Sequence, residues 1–150
     1  MKILVFGRIG QLGSALAEVL SDRYETRFID QPELDLTAPE SVRDHVQTYL
    51  PSIVINAAAY TAVDRAETEP ELAHVINARA PGSLAYACEE AGAVLIHYST
   101  DYVFDGTASM PYTETAATAP TGVYGQSKLA GEIAVASATP RYVILRTACL

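Results

Sequence analysis

At 150 residues the chain has the length of one domain, and its 49% hydrophobic content is ample for a buried core. A formal net charge of −8 argues against a nucleic-acid-binding surface and against an anionic membrane surface. Two cysteines without CxxC spacing, an initial apolar run too short for a signal peptide, and the lack of a transmembrane-length stretch together predict a cytoplasmic protein.

Strand-like apolar runs alternate with helix-period segments through the first half of the chain. Strands are predicted at 3–6, 26–29 and 53–55. The helix after the first strand has an apolar face predicted to consist of Leu12, Ala15, Leu16, Val19 and Leu20. A second helix begins near Ala38-Pro39-Glu40, and its predicted apolar face consists of Val42, Val46, Tyr49 and Leu50.

The second half continues the alternation. A long helix is predicted from Pro70 to Glu90, with a kink at Pro81 and a stop at Gly92. The remaining predicted elements are a strand at 94–98, a helix at 122–136 and a strand at 142–145. Strands that are apolar on both faces and alternate with helices predict an α/β fold of the Rossmann type. Such a fold is a doubly wound parallel sheet with helices on both faces.

Ligands of such sheets bind beyond the carboxyl ends of the strands, so the loops after those ends carry the candidate site. After the first strand comes Gly7-Arg8-Ile9-Gly10-Gln11-Leu12-Gly13, a GxxGxxG turn that opens a helix. This arrangement predicts binding of a dinucleotide pyrophosphate at the helix N-terminus. The alternative is a turn that only packs helix on strand, and the absence of a following Gly-Lys-Ser/Thr excludes a P-loop.

Asp30 follows the second strand, where a carboxylate can bind an adenosine ribose and favours NAD. Arg8 inside the glycine turn is instead suited to the 2′-phosphate of NADP, and Asp30 could also be a plain turn residue. Asp35 and Leu36 are candidates to flank the adenine, although an aspartate before a helix start is equally expected as a solvated turn residue. After the third strand, three alanines (57–59) offer room for a nicotinamide ribose, or they simply pack.

Tyr124 and Lys128 are four residues apart on the predicted helix at 122–136, so both side chains lie on one face. A nearby ammonium is expected to lower the pKa of the phenol toward neutrality, which suits a proton donor to a carbonyl. Thr100, at the end of the fourth strand, could hydrogen-bond both a substrate carbonyl and the Tyr124 phenol. Taken alone, the spacing favours a plainer interpretation, in which an exposed tyrosine lies one turn from a solvated lysine. His97 is predicted to be part of its strand, and no cluster has the spacing of a metal site or of a GxSxG nucleophile elbow.

These motifs together resemble the extended short-chain dehydrogenase/reductases. The narrower resemblance, over essentially the whole chain, is to the dTDP-4-dehydrorhamnose reductases. The segments that carry it are Gly10-Gln11-Leu12-Gly13, Asn56-Ala57-Ala58-Ala59-Tyr60-Thr61-Ala62-Val63-Asp64, Ser99-Thr100-Asp101-Tyr102-Val103-Phe104, Val123-Tyr124-Gly125-Gln126-Ser127-Lys128-Leu129-Ala130-Gly131-Glu132 and Leu145-Arg146-Thr147.

The resemblance implies that NADPH or NADH reduces the C4 ketone of dTDP-4-dehydrorhamnose to give dTDP-L-rhamnose. It implies Tyr124 as proton donor, Lys128 as the residue that holds the nicotinamide ribose and lowers the Tyr124 pKa, and Thr100 and Asp101 as sugar contacts, with Thr100 also catalytic. The cofactor-binding residues that it implies are Gly7, Gly10, Gln11, Leu12, Gly13, Asp30, Asp35, Leu36, Ala58, Ala59, Tyr60, Ser99, Tyr124 and Lys128.

Two departures from the family pattern bear on the substrate. Family members are longer, and their C-terminal part supplies most of the sugar pocket and the dimer contacts, so residues 1–150 are expected to be the dinucleotide-binding domain, with weak cofactor binding and little turnover alone. Cys149 stands where the family commonly has a sugar-contacting tryptophan. A dinucleotide-binding regulatory subunit, like the methionine adenosyltransferase β-subunit, and a nucleotide-sugar epimerase or dehydratase are the alternatives.

Overall fold

Five parallel strands form the central sheet, and the computed structural model describes residues 1–148. The strands are β1 (Lys2–Phe6), β2 (Glu25–Ile29), β3 (Ile53–Asn56), β4 (Val94–Thr100) and β5 (Tyr142–Thr147). Their order is β2-β1-β3-β4-β5, and every neighbouring pair is parallel. The chain reverses its winding direction between β1 and β3, which is the switch point of a doubly wound sheet. All five predicted strands and the predicted α/β fold are confirmed.

Helices cover both faces of this sheet. They are α1 (Gln11–Leu20), α2 (Pro39–Tyr49), α3 (Val63–Ala66), α4 (Pro70–His74), α5 (Ala80–Ala91) and α6 (Val123–Ala138). The helices α2, α5 and α6 pack over the larger core, which includes Leu4, Phe6 and Leu95, and α1 packs over Ile3 and Val5 on the other face. Alternate residues of β1 therefore supply the two cores, as the period of two along a strand requires.

Two details of the predicted helix faces are wrong. Ala15 and Val19 of α1 are exposed, because the helix turns Gly13, Leu16 and Leu20 toward the sheet. Leu50 does not continue the apolar face of α2. It is the left-handed residue (φ 50°) that ends this helix, and it is exposed to solvent.

The predicted long helix is divided into α4, a π-helical turn at Val75–Arg79, and α5. Pro81 lacks an N–H, and its ring crowds the carbonyl four residues earlier, at Asn77. A widened π turn relieves that crowding, so the disturbance expected at Pro81 takes this form. Gly92 ends α5 with φ 70°, which confirms the predicted stop.

Candidate active site

A cavity of about 460 Å³ lies at the carboxyl edge of the sheet, at the switch point between β1 and β3. Most of the predicted cofactor-binding residues line it. They are Gly7, Gly10, Gln11, Leu12, Asp30, Asp35, Leu36, Ala58, Ala59, Ser99, Tyr124 and Lys128. Four predicted site residues do not line this cavity: Gly13, Tyr60, Thr100 and Asp101.

The glycine turn brings backbone close to one side of the cavity. Gly7 has φ 94°, and a Cβ there would lie 2.7 Å from the Ala58 nitrogen. Gly10 is the N-cap of α1 and has open space where its side chain would be. The first helical hydrogen bond runs from the Ser14 N–H to the Gly10 carbonyl, and no side chain caps this helix. The N–H groups of the first turn are therefore available to an anion such as a pyrophosphate.

Asp30 connects the end of β2 to the glycine turn. Its Oδ2 accepts the Ile9 N–H at 2.7 Å, and its Oδ1 accepts the Gln31 N–H at 2.8 Å. The carboxylate thus lines the cavity while it also fixes the turn. Arg8, the candidate for a 2′-phosphate, is exposed and is not a lining residue.

Tyr60 was predicted to bind the cofactor, but its phenol points to a different network. The hydroxyl donates to Glu69, and both the N–H and the carbonyl of Tyr60 hydrogen-bond the Asn77 side chain. Asn77 is buried, and its Nδ2 also donates to the Ser127 hydroxyl on α6 at 3.0 Å. These bonds turn the Tyr60 ring away from the cavity that the neighbouring Ala58 and Ala59 line.

Lys128 is only 3% exposed, and its Nζ donates to the Tyr98 carbonyl at 2.6 Å. Burial disfavours the charged ammonium and lowers the pKa of Lys128 to about 8. On the same side of the cavity, the buried Ser99 hydroxyl has no hydrogen-bond partner within the described residues. A hydroxyl without a partner at the wall of a cavity is suited to a polar ligand, since buried polar groups are normally paired.

Tyr124 is half-buried, and its ring lies edge-on against Tyr102, with ring centroids 5.6 Å apart. Burial raises its pKa above the ordinary value, and the neighbouring Thr100 hydroxyl acts in the opposite direction. The prediction that Lys128 draws the Tyr124 pKa toward neutrality is therefore wrong for this structure. The reason is that the ammonium is bound to the Tyr98 carbonyl, and the loss of hydration at the phenol dominates.

Thr100, the last residue of β4, is hydrogen-bonded to Asp101, which lines a second cavity. The Thr100 hydroxyl accepts the Tyr102 N–H and donates to Asp101 Oδ1, both at 3.2 Å. Asp101 lines a neighbouring cavity of about 790 Å³, together with Arg146 and Glu132. Thr100 is near enough to affect the Tyr124 pKa, and Tyr124 itself lines the first cavity.

Other lining residues were not predicted from the sequence, among them Leu34, Ile76, Tyr98 and Thr147. Thr147 belongs to the Arg-Thr segment and could have been inferred from it, whereas Ile76 reaches the cavity from the π turn, which has no clear sequence signal. Cys149 lies outside the described residues. Within residues 1–148 no cluster of three His, Cys, Asp or Glu side chains could hold a metal ion.

No helix in the described part of the chain is long and apolar enough to span a membrane. Known proteins match this chain in sequence and in fold. The dTDP-4-dehydrorhamnose reductase of Escherichia coli K12 is 46% identical over 155 residues, which cover 98% of this chain and 50% of that protein. The corresponding Burkholderia thailandensis protein is 48% identical over 147 residues, covering 98% of this chain and 49% of that protein. The chain thus spans about half the length of these relatives.

Solved structures extend the comparison. The Bacillus anthracis dTDP-4-dehydrorhamnose reductase, in complex with NADP, superposes with a TM-score of 0.94 at 42% identity, over 98% of this chain and 53% of that one. The Thermus thermophilus UDP-glucose 4-epimerase, in complex with NAD, has a TM-score of 0.86 at 25% identity, over 97% of this chain and 54% of that one. The family model described as the RmlD substrate binding domain matches residues 1–150, so the chain belongs to that family.

Proposed function

We propose that this chain is the dinucleotide-binding domain of an NAD(P)H-dependent reductase that converts dTDP-4-dehydrorhamnose to dTDP-L-rhamnose. The observation that carries the proposal is one cavity, lined by the glycine turn at one end and by Tyr124 and Lys128 at the other. The glycine turn would supply the pyrophosphate site, and Tyr124 would supply a proton donor within the reach of the same dinucleotide. The names of the relatives supply the substrate.

The residues present fit a nicotinamide dinucleotide. The first-turn N–H groups after Gly10 would hold the pyrophosphate, and Asp30 would accept from the adenosine ribose. Lys128 and the unpartnered Ser99 hydroxyl would hold the nicotinamide half. When bound, the reduced cofactor supplies the hydride for the substrate ketone.

The chain's own residues then orient and protonate the substrate. Thr100 would hold the ketone oxygen, Asp101 would contact the sugar, and the Tyr124 phenol would donate its proton to that oxygen as it gains negative charge. Burial keeps the Tyr124 pKa above its ordinary value, so the phenol carries the proton that this step requires at neutral pH. Homodimerisation and cytoplasmic localisation stay predictions.

A test uses residues 1–150 alone and a fusion of them to the second half of the E. coli reductase. NADPH and NADH binding is measured by titration calorimetry, and turnover of dTDP-4-dehydrorhamnose is followed by loss of the reduced nicotinamide absorbance. We expect weak binding and little turnover in the chain alone, and turnover in the fusion that falls about 100-fold or more in Tyr124→Phe. Tyr24→Phe, which alters an exposed tyrosine, should retain the wild-type rate.

The alternatives predict different results. Equal rates in Tyr124→Phe and wild type would exclude the proton-donor role. Cofactor binding without oxidation of either NADPH or NADH would favour a regulatory subunit. Retention of tightly bound NAD, with interconversion of sugars and no net cofactor oxidation, would favour an epimerase.

A further inference from the structure

The helix that carries Tyr124 begins without a cap of its own. The N-cap of α6 is Gly122, which has no side chain to accept the N–H groups of the first turn. Tyr124 is the second residue of this helix, so its position depends directly on how that turn is fixed. An uncapped first turn tends to fray.

A distant carboxylate takes the place of the missing cap. Glu67 Oε1 accepts the Val123 N–H at 2.8 Å, across 56 positions of the chain. Glu67 lies at the end of α3, and its negative charge at a helix N-terminus also interacts favourably with the helix dipole. The absence of a side chain at Gly122 makes room for it, because a Cβ there would lie 3.0 Å from the same Glu67 oxygen.

The segment that presents Glu67 is itself anchored and is continuous with the cavity. Thr61 lines the cavity just before α3. Glu69, two residues after Glu67, accepts from both the Tyr60 phenol and Arg65 Nη2. These bonds lower the pKa of Glu69, so this carboxylate remains charged and the segment stays fixed at neutral pH.

We infer that Glu67 is a positioning residue. It caps the helix of Tyr124 and so couples the placement of the phenol to the segment 59–67, in which Ala59 and Thr61 line the cavity. The inference rests on the proposed function, because only there does the placement of Tyr124 matter. It assigns Glu67 no contact with substrate or cofactor.

The test uses the 150-residue chain and readouts that need no turnover. Amide exchange of Val123 is measured by NMR, and the Tyr124 phenol is titrated with ¹³C-labelled tyrosine, its resonance identified from Tyr124→Phe. In Glu67→Ala we expect Val123 to exchange about tenfold faster, because a charge-assisted hydrogen bond is lost. We also expect the pKa of Tyr124 to fall toward its ordinary value as the turn loosens and the phenol is hydrated.

Two further variants separate capping from general stability. Glu67→Gln keeps an acceptor and should stay close to wild type. In the double variant Glu67→Ala/Gly122→Ser the removed carboxylate leaves space for serine, a preferred N-cap, so both readouts should return to wild type. Glu71→Ala, which alters an exposed carboxylate on α4, should change neither readout.

In the fusion described above, kcat should follow the same order, with the KM for NADPH unchanged. Unchanged Val123 exchange and Tyr124 titration in Glu67→Ala would overturn the inference. So would failure of Gly122→Ser to rescue Glu67→Ala. A fusion without turnover would contradict the proposed function, while the two NMR readouts would still decide the capping role.

Discussion

Replacing Gly13 with alanine tests whether the third glycine of the turn serves packing within the protein. A Cβ at position 13 would lie 1.8 Å from the Gly7 carbonyl oxygen and 2.9 Å from the Arg8 carbonyl carbon. Both atoms belong to the backbone, which cannot rotate away as a side chain can. Either the turn or the start of α1 must therefore shift.

The expected loss follows from two opposing terms. Overpacking of this kind costs about 1–3 kcal/mol. Alanine gains up to about 1 kcal/mol over glycine inside a helix. Since a contact of 1.8 Å with backbone lies at the severe end of the range, we expect the free energy of unfolding to fall by about 2 kcal/mol.

The matched control is Gly10→Ala. Gly10 has φ −66° and nothing within 4 Å of an added Cβ, so the stability should change by less than about 0.5 kcal/mol. Urea unfolding followed by circular dichroism measures both variants, and calorimetry measures their NADPH affinity. We expect Gly10→Ala to fold normally and to bind NADPH more weakly, because its methyl group enters the cavity. A Gly13→Ala protein as stable as wild type would refute the packing argument.

Three other variants test the side chains of Arg146, Lys128 and His97, with Arg43→Met as the control for the first. Arg146→Met leaves Glu132, whose side chain is 8% exposed, without its bidentate partner, so the free energy of unfolding should fall by about 2–4 kcal/mol. Arg43→Met removes one partner of a more exposed ion pair and should lower the free energy of unfolding by less than about 1 kcal/mol. Equal losses for the two variants in urea titrations would contradict the role of burial. The pKa of Lys128 is about 8 in the folded state and 10.5 in the unfolded state, so the unfolded state binds more protons between these pH values. The free energy of unfolding of the wild type should therefore rise by about 3 kcal/mol relative to Lys128→Met as the pH increases through that window. Burial lowers the pKa of His97 from 6.5 to about 3 in the folded state. The free energy of unfolding of the wild type should therefore fall by roughly 4 kcal/mol relative to His97→Gln as the pH decreases through that window. Parallel pH profiles of wild type and variant would contradict the assignment for Lys128 or for His97.

The strands and the place of the site could be predicted because their signals are local. A parallel strand buried on both faces has to be apolar throughout, and Ile3–Phe6 and Ile53–Ile55 have that pattern. The rule that ligands bind beyond the carboxyl ends of parallel strands then selects the loops. The cavity lies at those loops.

The orientation of Tyr60 could not be predicted, because it depends on contacts between distant segments. Asn77 bonds Tyr60 and Ser127, and its carbonyl approaches Gly131 so closely that a Cβ there would lie 2.1 Å away. Helical periodicity carries no information on such contacts. The capping of α6 by Glu67 is missed for the same reason, since 56 positions separate donor and acceptor.

The pKa of Tyr124 could not be predicted from its spacing to Lys128. A separation of four residues places two side chains on one helix face, but it does not determine where a long, flexible lysine side chain ends. Here the ammonium ends at the Tyr98 carbonyl, and the pKa of Tyr124 is raised by burial, with Thr100 as the neighbour that acts against it. A role of Lys128 in holding the nicotinamide ribose can therefore be tested separately from any effect on the Tyr124 pKa. We expect Lys128→Met to weaken NADPH binding and to leave the Tyr124 pKa where burial sets it, whereas Thr100→Val should raise that pKa further. The same ¹³C titration measures both variants, and a large rise of the Tyr124 pKa in Lys128→Met would restore the ammonium as its determinant.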